Sequence, residues 1–374
     1  MSHVVTPIST RDHGMGVDGG PGLGAAVRPR DTHVERTDAA GLHRVSVVMP
    51  VRNEEKHIVA AVTSVLAQSL PPTEVLVVDG VSHDRTVELV HALGDRRVRV
   101  LTNPERTIPA ALNIGLQHAR GDFVARVDAH ARINEDYLAI GLSHLADPRV
   151  GAVGGIRLAV AESMSGKAIA AALSSPFGVG NSINHYAETP RDTDHASFGV
   201  YRTEVARAVG GWDENLLVNE DVDFDHRIQL AGHRIRFDPG MHIHWQVRET
   251  IPDFARQYRR YGRGKAGMVR KNGRSAVRAR HLAAPALVGL LAAAGGSAAL
   301  GRRAVAGGLL APYALALGVA AVKTKRQSAT DDQVTTLQLA SSFATMHVTW
   351  GWGFLEGLLL RRPPAAATRR DPEL

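Results

Sequence analysis

The 374-residue sequence contains no cysteine and no apolar stretch near its start. The lack of cysteine excludes disulfides, thiolate metal sites and cysteine nucleophiles, so any metal must be bound through oxygen and nitrogen. The opening MSHVVTPISTRDHGMG lacks the apolar run of roughly 7 to 15 residues that a secretory signal needs, so we expect a cytoplasmic start. Residues 1–43 also lack hydrophobic periodicity, and we expect a disordered tail there.

Positive charge is in excess, with a formal net charge of +7 and a pI near 10.0. Such a balance favours anionic partners: nucleotide diphosphates, nucleic acid or anionic lipid headgroups. Residues 256–280, called here the basic run, contain ten Lys and Arg residues and no acid. A run of this kind is typical of nucleic-acid binding or of contact with an anionic membrane leaflet.

Short β-branched runs alternate with helical patterns from residue 45 onward. The predicted strands are 45–50, 74–80, 97–101 and 122–129, and the predicted helices are 54–69, 84–93 and 107–119. This alternation predicts an α/β domain whose parallel sheet is covered by helices on both faces, with ligands beyond the carboxyl ends of the strands. Residues 150–250 are less regular, and we interpret them as the acceptor half of the same domain.

Three apolar segments follow the basic run. They are residues 282–301, 304–322 and 337–360. The first two are uncharged and near the roughly 20 residues needed to cross a bilayer, whereas the third contains His347 and Glu356. With the basic run and KTKR (323–326) on the cytoplasmic side, the first two segments predict a membrane hairpin. The alternative is a set of buried helices in a soluble domain.

Polar residues follow the first two predicted strands. In PVRNEE (50–55), Asn53 and Glu54 are suited to hold a ligand or to cap the next helix. In VDGVSHD (78–84), Asp79 ends a strand, and Ser82 and Asp84 begin a helix, which is also the pattern of a capped turn. Both alternatives remain open for each motif.

Two further motifs carry carboxylates. RVDAHARI (126–133) places Asp128 and His130 two residues apart, on one face if the chain is extended, which suits a divalent cation bridging diphosphate oxygens or merely a polar strand end. LLVNEDVDFDHR (216–227) concentrates acids and a histidine. One carboxylate there is a candidate general base toward a sugar hydroxyl, although such a pattern also suits a solvated helix start.

Taken together, the motifs resemble the family 2 glycosyltransferases, which have the GT-A fold. The resemblance covers about residues 45–265 and rests on VSVVMPVRNEE, VDGVSHDRT, ALNIGLQHARGDFVARVDAH, VGGWDENLLVNEDVDF and QYRRYGRGK in this order. RVDAHA is similar to the membrane-bound branch that includes the succinoglycan glucosyltransferase of exopolysaccharide synthesis, which also has C-terminal hydrophobic segments.

The resemblance implies a domain organisation. It predicts a GT-A domain over residues 44–265, with a donor half at about 44–150 and an acceptor half at about 150–265. A basic membrane-proximal segment (266–281), hydrophobic membrane helices (282–362) and a tail (363–374) follow.

Residue roles also follow from the resemblance. The positions that match those holding the nucleotide's base and ribose are Pro50, Arg52, Asn53, Glu54 and Asp79. Asp128 matches the metal-binding Asp of the family's DxD motif, with His130 in place of the second Asp, and His244 matches a C-terminal histidine that contacts metal or diphosphate.

The acceptor side of the family adds two motifs. Asp221 matches the catalytic base, and Glu220 would support it. Gln257, Arg260 and Tyr261 match a QxxRW-like motif, with Tyr for Trp, that grips the glycan and donor phosphates.

We therefore expect an inverting, non-processive transferase that needs Mg²⁺ or Mn²⁺ and moves a sugar, UDP-linked by our expectation, to a lipid-linked or glycan acceptor. It would work at the cytoplasmic face of the cell membrane, in contact with membrane lipid. A degenerate nucleotide-binding scaffold is the alternative. We expect no nucleic-acid partner, because apolar segments follow the basic run directly and most of that run lacks interleaved aromatic residues.

Overall fold

The computed structural model describes residues 44–327 and 333–360, without the side chains of residues 274 and 276. The predicted tails at 1–43 and 363–374 lie outside the described residues. The strands are β1 (Val45–Val51), β2 (Glu74–Asp79), β3 (Val98–Thr102), β4 (Phe123–Arg126), β5 (Ala131–Ile133), β6 (Val150–Val160), β7 (Arg191–Asp192), β8 (Val200–Arg202) and β9 (Arg234–Gln246).

Twelve α-helices lie in the same ranges, together with short 3₁₀ turns at Ile183–His185 and Gly273–Ala276. The helices are α1 (Ile58–Leu66), α2 (Thr86–Ala92), α3 (Ile108–His118), α4 (Tyr137–Leu145), α5 (Met164–Leu173), α6 (Pro176–Val179), α7 (Thr203–Ala208), α8 (Glu220–Leu230), α9 (Ile251–Asn272), α10 (Arg280–Ala299), α11 (Arg303–Gln327) and α12 (Thr336–Leu359).

The nine strands form one sheet in the order β3-β2-β1-β4-β8-β6-β9-β5, with β7 beside β9. β1 to β4 are parallel, as predicted, whereas β8 is antiparallel to both β4 and β6, and β5 is antiparallel to β9. The predicted α/β fold class is confirmed, with a parallel half, β1 to β4, joined to a mixed half.

Apolar clusters cover both faces of the sheet, because the central strands are buried on both sides. All seven residues of β1 are buried, which explains its uninterrupted apolar sequence. One cluster joins the sheet to α1 and α4, and the other joins it to α3, α7 and α8. These helices fix the loops at the carboxyl ends of the strands, where the candidate site lies.

The fourth predicted strand ends earlier than expected. β4 stops at Arg126, and the backbone N–H of Ala131 donates to the carbonyl of Asp128 (3.0 Å) to close a turn before β5. The prediction of an extended chain from 122 to 129 is therefore wrong at its end. A turn, not the alternation of a strand, determines where Asp128 and His130 lie.

Two of the three predicted membrane segments, α10 and α11, are long and apolar enough to cross a bilayer. Few of their residues are buried, and Leu315 of α11 is 70% exposed. Burial inside a soluble domain, the alternative for these helices, is therefore wrong. α12 is long enough but is not among the helices with this apolar composition.

α12 instead packs along α9, and its polar residues find partners there and nearby. Glu356 accepts from Arg259 (2.8 Å), and the Nε2 of His347 lies 2.8 Å from the carbonyl of Phe177. Added side chains at Gly262 or Gly353 would collide with backbone of the opposite helix. This close approach joins α12 to the α/β domain. The predicted domain boundary at residue 265 falls inside α9.

Candidate active site

A pocket lies beyond the carboxyl ends of β1 to β4. It is lined by Pro50, Val51, Arg52, Glu54, Gly80, Asn103, Arg106, Thr107, Ile108, Ala111, Asp128 and His130. Five predicted site residues, those at positions 50, 52, 54, 128 and 130, thus converge on one cavity. This is the location expected for a ligand of a parallel α/β sheet.

Two pocket residues carry polar atoms that are buried without a hydrogen-bond partner. They are the Nε of Arg52 and the Oδ1 of Asn103. Because such atoms are normally satisfied in a folded protein, a polar ligand in the pocket is a natural partner for them. The donor and acceptor chemistry of this wall fits the base and ribose of a nucleotide.

Asn53 and Asp79 are not on the pocket wall. The Oδ1 of Asn53 accepts from the backbone N–H of His83 (2.9 Å), and Asp79 accepts from the backbone N–H and hydroxyl of Ser82. Asn53 caps no helix, since α1 begins at Ile58 without a side-chain cap. Asn53 thus ties the loop after β1 to the loop after β2, while Asp79 closes the turn within the second loop. Asp84 behaves as a turn residue, accepting from the N–H of Thr86 (3.0 Å).

Backbone strain concentrates around the site. The non-glycine residues with left-handed φ, among those described, are Asn53, Val81, Arg106, Phe198 and Asn219. The first three follow β1, β2 and β3, and Asn219 directly precedes Glu220. A β-branched residue such as Val81 (φ 60°) is strongly disfavoured in this conformation. Strain of this kind typically accompanies ligand-binding loops.

Arg126, a residue that the motif reading missed, connects the pocket with the acidic end of α8. Its guanidinium is buried and binds Asp128 (2.9 Å) and Glu220 (3.1 Å). Asp128 faces the pocket, whereas Glu220 begins α8. Arg126 therefore joins the first candidate metal ligand to the residue beside the candidate base. The sequence signal that could have identified Arg126 is a basic residue in an otherwise apolar strand.

His130 lies in the pocket beside two carboxylates. Its Nδ1 is 3.0 Å from an Oε of Glu54. Burial alone would lower the pKa of His130, but the hydrogen bond with Glu54 and the charge of Asp128 raise it above its ordinary value. Protonation is thereby favoured, and an imidazolium binds phosphate oxygens, whereas a metal needs the neutral ring.

The three predicted metal ligands do not assemble. His244 lies on β9 opposite Arg132 of β5 and is not part of the pocket lined by Asp128 and His130. In the described ranges, no group of three His, Asp or Glu side chains is arranged to share one ion. Asp128 fits a cation whose other ligands are phosphate oxygens and water, the usual coordination of Mg²⁺ with nucleotides, whereas a protonated His130 does not bind a cation.

The acidic stretch at 216–227 leads into α8, which begins at Glu220. Most of its acidic side chains are buried, so the alternative of a solvated helix start is wrong. Glu220, Asp223 and Asp225 are at most 6% exposed, while the Asp221 side chain is 32% exposed. Burial and the charge of Asp221 raise the pKa of Glu220. Burial acts to raise the pKa of Asp221 too, but His195 and Arg126 outweigh it and lower that pKa. The pKa values of these adjacent carboxyls thus shift in opposite directions. Asp221 is the one that stays ionised, which favours it as the base.

The QxxRY motif lies on α9, against the start of α8. The Nδ2 of Asn219 donates to the carbonyl of Tyr261 (3.2 Å), and the ring of Tyr261 contacts that of Tyr258. Gln257 and Arg260 lie on the same helix, with Arg260 exposed. The structure thus brings Tyr261 of the motif next to Asn219, the residue before Glu220.

Several cations of the basic run form ion pairs with acids from distant parts of the chain. Lys271 binds Asp213 and Asp223, and both Arg278 and Arg280 bind Asp194. Part of the basic run is therefore neutralised within the domain. Local sequence could not show this, since the partners lie more than 40 residues away.

Several functional candidates escaped sequence reasoning. Asn103 follows β3 just as Asp79 ends β2, so the carboxyl-end rule could have found it. His195 and Asp225 form a 2.6 Å contact beside Asp221 that no local pattern marks.

Comparison with known proteins identifies the family. The model of "Glycosyl transferase family 2" matches residues 46–208. The succinoglycan biosynthesis protein ExoA of Rhizobium meliloti is 34% identical over 232 residues, which cover 59% of this chain and 68% of that protein. A dolichyl N-acetyl-α-D-glucosaminyl phosphate 3-β-D-2,3-diacetamido-2,3-dideoxy-β-D-glucuronosyltransferase of Methanococcus voltae is 26% identical, covering 61% of this chain and 74% of its own length.

A solved structure supports the same fold. The mannosyltransferase of Pyrobaculum calidifontis in complex with GDP-Man and Mn²⁺ superposes with a TM-score of 0.60, covering 86% of this chain and 88% of that one at 23% identity. At this level of identity, the likeness supports the GT-A fold and nothing more specific. The motif order, the family match and the similarity to ExoA together show that this chain is a glycosyltransferase and belongs to glycosyl transferase family 2.

Proposed function

We propose that the chain transfers a sugar, with inversion, from a UDP-linked donor to a lipid-linked or glycan acceptor in cell-surface or exopolysaccharide synthesis. The observation that carries this proposal is the link formed by Arg126 between Asp128 in the pocket and Glu220 beside Asp221. This link supports a donor site that lies next to the catalytic base. The named succinoglycan relative supports the class of product.

The residues divide the reaction between them. Arg52 and Asn103 bind the nucleotide, and His130 contacts its phosphates. Asp221 takes the proton of the acceptor hydroxyl as that oxygen attacks the anomeric carbon, while the bond from this carbon to the diphosphate breaks.

The acceptor and the leaving group need further groups. Gln257, Arg260 and Tyr261 on α9 position the acceptor. A divalent cation, Mg²⁺ or Mn²⁺, would be held by Asp128 with the diphosphate, and it would supply positive charge to the leaving group.

The first test combines donor turnover with one variant. Detergent-solubilised protein is assayed with UDP, GDP and dTDP sugars in Mn²⁺, Mg²⁺ or EDTA. We expect metal-dependent turnover of one UDP sugar, and Asp221→Asn to lower transfer at least about 10³-fold with an unchanged donor Kd. Transfer near the wild-type rate would contradict the base assignment. No turnover and no metal-dependent nucleotide binding would favour the scaffold alternative.

We also propose that α10 and α11 form a membrane hairpin with the catalytic domain on the cytoplasmic side. The absence of cysteine allows single-cysteine labelling of intact cells with an impermeant maleimide. Arg302→Cys, between the two helices, should be labelled from outside, whereas Glu105→Cys and Lys325→Cys should react only after lysis. Labelling of Glu105→Cys in intact cells would reverse the orientation.

A further inference from the structure

Asp221 is one side of a cluster that extends into the protein interior. Asp221 and Asp225 are four residues apart and share one face of α8. The ring of His195 lies between them, with Nδ1 2.6 Å from an Oδ of Asp225 and Nε2 3.7 Å from an Oδ of Asp221. Asp225 is fully buried, and only Asp221 has a substantially exposed side chain.

The position of His195 is fixed by more than the ion pair. The Nδ2 of Asn184 donates to the His195 carbonyl (3.0 Å), and the backbone N–H of Ala196 donates to the Asp225 oxygen that also binds the imidazole (2.8 Å). These contacts leave the ring little freedom to turn away. Nδ1 therefore donates to Asp225, and Nε2 faces Asp221.

This arrangement favours the protonated ring. A neutral ring whose Nδ1–H is donated to Asp225 would direct the lone pair of Nε2 toward the Asp221 carboxylate, whereas an imidazolium directs an N–H there. Burial alone would lower the pKa of His195, but Asp221 and Asp225 raise it above its ordinary value. The other charged or titratable groups around the ring are Arg157, His185 and Asp194.

We propose that His195 is a positioning residue of the transfer reaction: anchored by Asp225, its imidazolium holds the Asp221 carboxylate ionised and oriented until the acceptor hydroxyl arrives. The inference rests on the proposed function, since it takes Asp221 as the base. Arg126 is already bound to Asp128 and Glu220, so a second cation is needed beside Asp221 when the donor diphosphate adds negative charge. His195 takes no part in bond making or breaking.

The pH dependence of kcat/KM tests this role. Activity should require ionised Asp221, which sets the acid limb, and protonated His195, which sets the alkaline limb. His195→Gln should lower kcat/KM about 10- to 100-fold, remove the alkaline limb and move the acid limb to higher pH, because Asp221 loses its neighbouring cation.

Two variants complete the set. Asp225→Asn keeps an oxygen for the N–H of Ala196 but lowers the pKa of His195, so the alkaline limb should move to lower pH. His185→Gln changes a neighbouring, partly buried histidine for which the described residues offer no carboxylate partner, and both limbs should stay in place. A His195→Gln enzyme with reduced activity and unmoved limbs would reduce His195 to a structural role and overturn the proposal.

Titration of His195 in the absence of turnover distinguishes the role of His195 from the role of Asp221 as the base. With ring-¹³C histidine, the His195 signal is identified as the one missing in His195→Gln. Its pKa should fall in Asp221→Asn, and that variant should be inactive. An inactive Asp221→Asn with an unchanged His195 titration would overturn the role of His195 alone. An active Asp221→Asn would overturn both the base and its positioning residue.

Discussion

The donor pocket and the cluster around Asp221 are built by different means. The pocket collects residues that directly follow β1 to β4, neighbouring strands joined by helices. The Asp221 cluster instead collects α8, the chain at His195 and α9, which come together through the mixed half of the sheet. The first is a consequence of parallel topology, whereas the second depends on long-range packing. Arg126 joins the two.

The sharpest test of this difference is Arg126→Met, which leaves Asp128 and Glu220 without their buried cation. We expect a loss of about 3–5 kcal/mol in the free energy of unfolding, measured with denaturant in detergent. The loss should grow as pH rises above about 7, because Glu220 ionises there beside Arg126, whereas without that cation its pKa lies higher still and ionising it in the buried site costs more.

Arg99→Met on β3 is the matched control. Its partner Glu74 keeps hydrogen bonds from Ser46 and Arg120, so the loss should be at most about 1 kcal/mol. Equal losses in the two variants would mean that Arg126 does not connect the two regions energetically.

Asp128→Ala should affect the donor side selectively. We expect the Kd for UDP in Mn²⁺ to rise about 10- to 100-fold, since a ligand of the cation is lost, with little change in EDTA. Isothermal titration with UDP measures both values. Equal UDP affinity with and without metal in the wild type would remove the cation from the donor site.

Gly262→Ala tests the contact between α9 and α12. The added methyl group would meet the carbonyl of Trp350, and overpacking of this kind costs about 1–3 kcal/mol. Gly267→Ala on the same helix has room for the methyl group and should be neutral or slightly stabilising. Thermal unfolding of the pair decides whether α12 is anchored to the catalytic domain.

The smallest effect should come from Glu356→Gln. Its partner Arg259 is about half exposed, so the ion pair should contribute under about 1 kcal/mol. A loss above about 2 kcal/mol would show that α9 and α12 meet in surroundings much drier than the exposed arginine indicates.

Sequence reasoning succeeded where local rules govern structure. The first four strands and three helices follow from hydrophobic pattern, and Arg52, Glu54 and Asp128 converge because parallel strands end at one edge. His244 lies outside the pocket, because its place on β9 follows from an antiparallel pairing with β5, which no periodicity predicts. His195 was missed because Asp225 lies 30 residues further along the chain, on a helix whose orientation only the whole fold determines.

α9 also fixes the distance between the Asp221 cluster and the start of α10. It is one continuous helix from Ile251 to Asn272, and its carbonyl at Tyr261 is bonded to the residue before Glu220. Eleven residues of helix separate Tyr261 from Asn272, a rise of about 16 Å, and α10 begins shortly afterwards at Arg280. If α10 crosses the membrane, the base is held at a set height above the lipid. The enzyme would then select acceptors by how far their reacting hydroxyl projects from the bilayer.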